Sequence, residues 1–314
     1  MRNPPIGGIN LIYFRISESK LIFIILLIEI SPALDLRLKE SQNSNRFLCK
    51  FLLPRLIRFR LMKTIAITNL KGGCAKTTTA INLAACLAEL GKRVLLIDLD
   101  PQGNASQWIG QENHCAENSM GLLTTKSPIT TLIQPTMVNN VGLIYASPEL
   151  SNLEKALVGE FATETILKRR LGQADLSDWD YVLLDTPPTL GLVTVNALTA
   201  ADQLIVPVST HVLSLAGVAQ LMAVIEKIKD AFNPSLSILG ILPSRVDLRT
   251  RHSGEVLESL REHFGDIVFG SFIRENVKLA EAPSYKKPIT TYDNSGGAAQ
   301  DFRALTRELM PQLG

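Results

Sequence analysis

The sequence predicts a doubly wound, mostly parallel α/β sheet with helices on both faces, and three observations carry that expectation. Short runs rich in Val, Ile and Leu recur through residues 62 to 314, helix-period segments separate them, and the first such run leads into a Gly-Gly turn that opens a helix. Near-continuous apolar strands are what parallel strands covered on both faces require, and the intervening helices supply the crossovers.

Taken in order, TIAITNL (64–70) is the first strand, and TTTAINLAACLAEL (77–90) follows with Ile81, Ala84, Ala85 and Ala88 at helical spacing and Gly91 as its stop. Further strands are expected at RVLLIDLD (93–100), VGLIYAS (141–147), DYVLLDT (180–186), DQLIVPVS (202–209) and LSILGILPS (236–244). Helices are expected over 150–171, 215–232 and 251–264. With no internal repeat or low-complexity linker, 62–314 reads as a single domain.

Composition excludes several classes. A chain of 314 residues with 46% hydrophobic and 20% charged residues is neither disordered nor fibrous. Four cysteines (Cys49, Cys74, Cys86, Cys115) form no CxxC pair or His-Cys cluster, which points away from a disulfide framework or a zinc site and toward a reducing compartment. The formal charge of +2 is uneven: residues 1–61 hold ten Lys/Arg against four Asp/Glu, so the basic balance belongs to that segment and the remainder is acidic by −4. Overall pI is therefore no argument for nucleic-acid binding.

Residues 1–61 differ in character from the rest of the chain. LIFIILLIEI (21–30) is interrupted by Glu29 and falls short of the roughly 20 residues that span a bilayer. FLCKFLLPRLIRFRL is basic and apolar, as an interfacial helix or targeting piece would be. The expectation adopted is an N-terminal extension that is disordered or not translated, with Met62 as the true start.

The stretch NLKGGCAKTTTAINLA (69–84) carries the chemistry. A standard phosphate loop, G-x-x-x-x-G-K-[ST], would need glycines where Leu70 and Ala75 stand. Even so, Gly72 and Gly73 follow a strand and Lys76-Thr77-Thr78 open a helix, the order in which backbone N–H groups and a helix N-terminus close around phosphates. A chance Gly-Gly turn is the plainer alternative, and the neighbouring Lys71 weighs against it. Ala75 costs little if its φ is negative and about 1 kcal/mol or more if positive.

K-G-G-x-x-K-T-T after the first strand is the deviant Walker A motif, and KGGCAKTTTAINLAACLAELGKRVLLIDLDPQGNAS resembles the ParA/Soj-type partition ATPases of the ParA/MinD family. The resemblance covers 62–314 and implies a P-loop NTPase fold with ATP and Mg2+ as cofactors. It implies that Lys71 reaches across a dimer interface to the partner's ATP and that Lys76 holds the β- and γ-phosphates. Thr77 would bind Mg2+ and Thr78 the α-phosphate, within a loop comprising Lys71, Gly72, Gly73, Cys74, Ala75, Lys76, Thr77 and Thr78. It further implies that Asp100 orients the attacking water, that Asp185 supports the metal through water, and that Thr186-Pro187-Pro188 form a switch. Pro283, in NVKLAEAPSYKKPI (276–289), would lie against the adenine. This chain departs from the family at Ala75, at Arg274 after Ile273, and at Lys286-Lys287 where Gly-Lys is usual.

A slow, partner-stimulated ATP hydrolase is implied, catalytic through Lys71, Lys76 and Asp100. It would form an ATP-sandwich homodimer that binds DNA non-specifically and drives chromosome or plasmid partition, in the cytoplasm on the nucleoid, with a ParB-like adaptor stimulating hydrolysis. Arg249, Arg251 and Lys278 are the DNA-binding candidates, joined by Arg245 and Arg274; a solvated basic loop is the plain alternative for each. His252 and His263 read as surface residues rather than ligands. Rival expectations are a related ATPase positioning a microcompartment or receptor array, and a MinD-like membrane-associated regulator. The latter would want a basic amphipathic closing helix, whereas DFRALTRELMPQLG is mixed in charge and broken by Pro311, so no stable membrane anchor is expected.

Overall fold

The computed structural model describes residues 62–111, 118–211 and 215–313. The expectations for residues 1–61, including Cys49 and the Met62 start, and for Cys115 lie outside the described residues.

Eight strands form one sheet: β1 (Lys63–Ile67), β2 (Val94–Asp98), β3 (Gln134–Pro135), β4 (Val141–Ile144), β5 (Tyr181–Asp185), β6 (Gln203–Ser209), β7 (Ser237–Val246) and β8 (Ile273–Arg274). Their order is β3-β4-β2-β5-β1-β6-β7-β8, and every pair except β3 with β4 is parallel. The expected doubly wound sheet is observed.

Side chains alternate across it as strand geometry demands. Ala66, Leu95, Ile97, Val182 and Leu184 enter one core layer, while Ile65, Ile67, Val94, Leu96, Tyr181 and Leu183 enter the other. Because both faces are covered, neither can be polar, which is why β1, β2 and β5 read as unbroken apolar runs.

The second layer is closed by α1 (Lys76–Glu89), whose Ile81, Leu83, Ala84 and Leu87 are buried. The first is closed by helices from later in the chain. In that stretch the expected single helix over 150–171 is not formed. It divides into a 3-10 turn (Pro148–Asn152), a short helix at Leu153–Ala156, a 3-10 turn at Thr163–Thr165 and a helix at Ile166–Gln173. Gly159 (φ +89°) and Ala162 (φ +53°) turn left-handed between them, which interrupts the helical ladder and leaves Val158 82% and Phe161 90% exposed.

In chain order, then, the helices after α1 are α2 (Asn104–Ile109), α3 (Ser119–Thr124), α4 (Ile129–Leu132), α5 (Leu153–Ala156), α6 (Ile166–Gln173), α7 (Leu192–Ala200), α8 (Leu215–Ala231), α9 (Arg251–Phe264), α10 (Val277–Glu281), α11 (Ile289–Tyr292) and α12 (Gly297–Leu313). The closing helix was expected to break at Pro311, yet α12 runs to Leu313 with that proline inside it. In the last turn a proline forfeits a single backbone bond, and the buried Leu313 anchors the end. The apolar face of α12, Phe302, Leu305, Leu309 and Leu313, is packed into the core. No described helix is long and apolar enough to cross a membrane.

Phe302 is among the largest fully buried side chains. Phe302→Ala is expected to cost about 3–5 kcal/mol in urea unfolding; a loss below about 1 kcal/mol would mean that α12 does not hold the core together.

Candidate active site

The parallel register places Ile67 beside Asp185 and Asp185 beside Asp98. The C-terminal ends of β1, β5 and β2 therefore deliver a loop and two carboxylates to one spot, the place where open α/β sheets bind ligands.

Asn69 pins the loop entry: its side-chain amide donates to the Pro207 carbonyl at 2.7 Å and its Oδ1 accepts from the Lys71 N–H at 3.0 Å. Two left-handed residues then turn the backbone, Gly73 (φ +72°) and Ala75 (φ +65°, ψ +31°). Ala75 caps α1 but offers no side-chain acceptor, and the first turn contains no acidic residue. The leading N–H groups of α1 and its positive dipole end thus face the cleft without a protein anion to satisfy them.

A cleft of about 900 Å³ lies over this loop. Its loop end is lined by Gly72 through Thr78 and Asp100. Its far end is walled by Gln107, Trp108, Gln111, Pro283 and Lys286. Lys71 is half-buried and does not line its own cleft.

Lys76 is buried and donates to the Lys71 carbonyl at 3.3 Å. Burial pulls its pKa below the usual lysine value, and the charges of Asp185, Cys74 and Asp100 pull it back up. Asp185 is fully buried, and neither of its carboxylate oxygens completes a hydrogen bond. Burial and the neighbouring Asp98 push its pKa well up, against the Thr77 hydroxyl and the Lys76 ammonium, which face it and pull it down. A buried carboxylate with unmatched oxygens behind Thr77 fits the support of a cation. Among the described residues no group of three His, Cys, Asp or Glu converges, so a metal here would depend on ligands from its substrate and water.

The two aspartates at and just beyond the end of β2 are held differently. Asp98 is fully buried and accepts from the Ser106 N–H at 2.8 Å, the Ser106 hydroxyl at 2.7 Å and the Asp100 N–H at 3.2 Å. It fastens the loop, and burial raises its pKa to about 6. Asp100 accepts from the Gln102 N–H at 3.0 Å and lines the cleft. Thr186 donates to the Ile67 carbonyl at 2.9 Å, tying the start of the expected switch to β1.

The far wall is built from contacts that sequence reasoning missed. Asn82 on α1 accepts from the Ile289 N–H at 2.7 Å, and the Trp108 indole donates to the Lys287 carbonyl at 2.8 Å.

The DNA-binding candidates lie outside the cleft, and each is paired. Arg249 grips Asp247 through two bonds of 2.8 Å and holds that carboxyl down at about 2. Arg251 stands 3.8 Å from Glu255, Lys278 3.0 Å from Asp293, and Arg245 3.1 Å from Glu275, whose other oxygen meets His211 at 2.9 Å. Arg274 is bound up with Asp301 at 2.6 Å and with the Gly297 carbonyl at 3.0 Å. Cys74 and Cys86 are free thiols.

Two expectations arise from this geometry. A left-handed alanine costs about 1 kcal/mol or more, while glycine returns about 0.4–1 kcal/mol of freedom to the unfolded chain. Ala75→Gly should therefore leave the melting temperature and nucleotide affinity equal or higher, and Ala75→Val should lower both; lost binding in the glycine variant would contradict a strained loop. The folded pKa of Asp98 lies above its ordinary 3.8, so the folded state binds its proton more tightly. The stability associated with this group is complete below about 3.8 and falls as pH rises toward about 6. Asp98→Asn should thus gain stability relative to the parent across that window, as denaturant midpoints would reveal; a difference independent of pH would refute the buried-carboxyl assignment.

Comparison with known proteins agrees with the fold. Residues 62–238 match the family described as AAA domain. The chain is 41% identical over 248 residues to the sporulation initiation inhibitor protein Soj of Bacillus subtilis (strain 168), covering 79% of this chain and 98% of that protein. It is 43% identical over 252 residues to the chromosome-partitioning ATPase Soj of Thermus thermophilus, covering 80% and 97%. Among solved structures, cobyrinic acid a,c-diamide synthase from Mycobacterium smegmatis with a bound ATP analogue and magnesium superposes with a TM-score of 0.71 at 32% identity, covering 80% of this chain and 95% of that one. The loop, the carboxylates at the strand ends and these relatives together show that the chain belongs to the Soj/ParA family of chromosome-partitioning ATPases.

Proposed function

We propose that this ATPase works as an ATP-assembled homodimer that binds DNA without sequence preference and uses hydrolysis to disassemble. The observation that carries the reading is the division of the two signature lysines. Lys76 stands with Thr77, Thr78 and Asp100 at one cleft, whereas Lys71 does not line that cleft, which fits a role for it in a partner's.

In this reading the N–H groups of Gly72 through Thr78 hold the phosphates, and the Lys76 ammonium sits on the β- and γ-phosphates. The Thr77 hydroxyl and, through water, Asp185 hold Mg2+, and Thr78 donates to the α-phosphate. Bound Mg2+ neutralises charge on the transferring phosphoryl group. Asp100 orients the attacking water, Pro283 packs on the adenine, and Lys71 completes the partner's site. Phosphoryl transfer to water needs positioned charge more than covalent chemistry, and this set supplies it.

DNA phosphates would displace the acidic partners of Arg249, Arg251 and Lys278. Contacts of that kind are salt-sensitive and carry no sequence information. The acidic balance of residues 62–314 confines binding to this local face. A ParB-like centromere-binding adaptor that stimulates turnover, and a place on the nucleoid in the cytoplasm, complete the proposal, with residues 62–314 acting as one ATPase domain.

Replacing Asp100 by Ala should nearly abolish turnover while the protein still dimerises with ATP and retards duplex DNA; unaltered hydrolysis removes Asp100 from its role. In gel shifts at rising salt, Arg251→Ala should weaken binding alike on unrelated sequences and reduce the salt slope by about 1. Binding that ignores both nucleotide and salt would sink the switch.

A further inference from the structure

We propose that Leu248 and Val277 are apolar wedges that enter the minor groove of duplex DNA and bend it, while the cations beside them hold the phosphates. The proposal rests on the reading of this face as a DNA surface and names how that surface grips the duplex.

Two neighbouring strands deliver the wedges. β7 and β8 run parallel with Val246 beside Arg274, so the turns that follow them leave the sheet at the same end. Leu248 stands two residues beyond β7 and Val277 three beyond β8. Leu248 is 61% exposed and Val277 73% exposed. A single apolar side chain on a surface needs no explanation. Here the arrangement occurs twice on adjacent strands, and each apolar residue is followed directly by a cation, Arg249 or Lys278.

Both turns are held by their own hydrogen bonds. Asp247 Oδ1 accepts from the Arg249 N–H at 3.0 Å and the Asp247 carbonyl from the Thr250 N–H at 3.1 Å, which closes the first turn around Leu248. Asn276 Oδ1 accepts from the Lys278 N–H at 2.8 Å, which closes the second around Val277. Glu275 ties the two turns together. Its N–H donates to the Val246 carbonyl at 3.0 Å, and its carboxylate meets Arg245 at 3.1 Å and His211 at 2.9 Å. Backbone fixed in this way has little freedom left to lose on binding.

The charges beside the wedges are layered. In the ion pairs of Arg245, Arg249, Arg251 and Lys278, the cation is in every case the more exposed partner. For Arg249 the margin is 88% against 16% for Asp247. The acids therefore steady the cations from the protein side, and an approaching polyanion meets positive charge first. A lipid surface would ask for a broad apolar face, and that of α9, Val256, Leu257 and Leu260, is already buried. A duplex groove, with phosphates on both rims and base steps at its floor, takes single apolar wedges between cations. Such wedges offer no donor or acceptor, so the contact reads deformability rather than base identity.

The test adds the full chain, with ATP and Mg2+, to a duplex of about 25 bp that carries a fluorescent donor and acceptor at its two ends. The parent should bring the ends closer, as a bend of about 20–90° requires. Leu248→Ala combined with Val277→Ala should return energy transfer to that of free DNA and weaken binding about tenfold. The salt slope should not change in that variant, because no phosphate contact is lost. Leu248→Met with Val277→Met, which keeps the apolar bulk, should preserve the bend, whereas Arg249→Ala should reduce the salt slope by about 1. A straight duplex in the parent complex, or a bend that survives the alanine pair, overturns the proposal and leaves the DNA surface standing; a parent that binds no duplex at low salt takes the DNA reading down with it. If the alanine pair bends DNA as the parent does but no longer sediments with phosphatidylserine vesicles, the two side chains serve a lipid surface and the proposal falls.

Discussion

Everything at this site depends on the parallel register of β2, β5 and β1, which aligns Asp98, Asp185 and the start of the phosphate loop at one level of the sheet. That alignment forces two carboxylates into a dry place, where burial pushes both toward the protonated form and Asp98 adds to the push on Asp185. Lys76 is the compensating charge. Burial lowers its pKa, the Asp185 and Asp100 carboxylates oppose that, and its own charge in turn favours the ionised form of Asp185. Lys76 and Asp185 therefore set each other's state before any ligand arrives, and a phosphate or a cation entering here meets charge already in position.

Much of this fold was legible in the sequence because burial on both faces leaves an unmistakable trace. β1, β2 and β5 could be read from their Val, Ile and Leu runs, and α1 from its period and the Gly91 stop. The two-residue strands β3 and β8 had no such trace, since edge strands of that length are defined by their neighbours rather than by their own residues. The helix expected over 150–171 failed because apolar spacing cannot reveal that Gly159 and Ala162 turn left-handed.

The cleft was half legible for a related reason. The loop is a contiguous motif, so its residues could be named from the chain alone. The far wall is assembled from partners 179 and 207 residues apart, Trp108 with Lys287 and Asn82 with Ile289, and no local pattern announces them. Two of the departures noted in the sequence, Ala75 and Lys286, prove to be left-handed residues lining the same cleft. Non-glycine residues in that conformation gather at functional sites, where surrounding contacts hold them.

Membership of the Soj/ParA family joins that geometry to chromosome partition, and the central claim is that each site is completed by Lys71 of a second copy. The most direct measurement mixes two variants, Lys71→Ala and Asp100→Ala, and follows phosphate release. Each alone should be nearly inactive. In a mixed dimer, the Lys71→Ala protomer keeps its own Asp100 and receives Lys71 from the other, so turnover should reappear on mixing. A mixture as inactive as its components would contradict a lysine acting across the dimer.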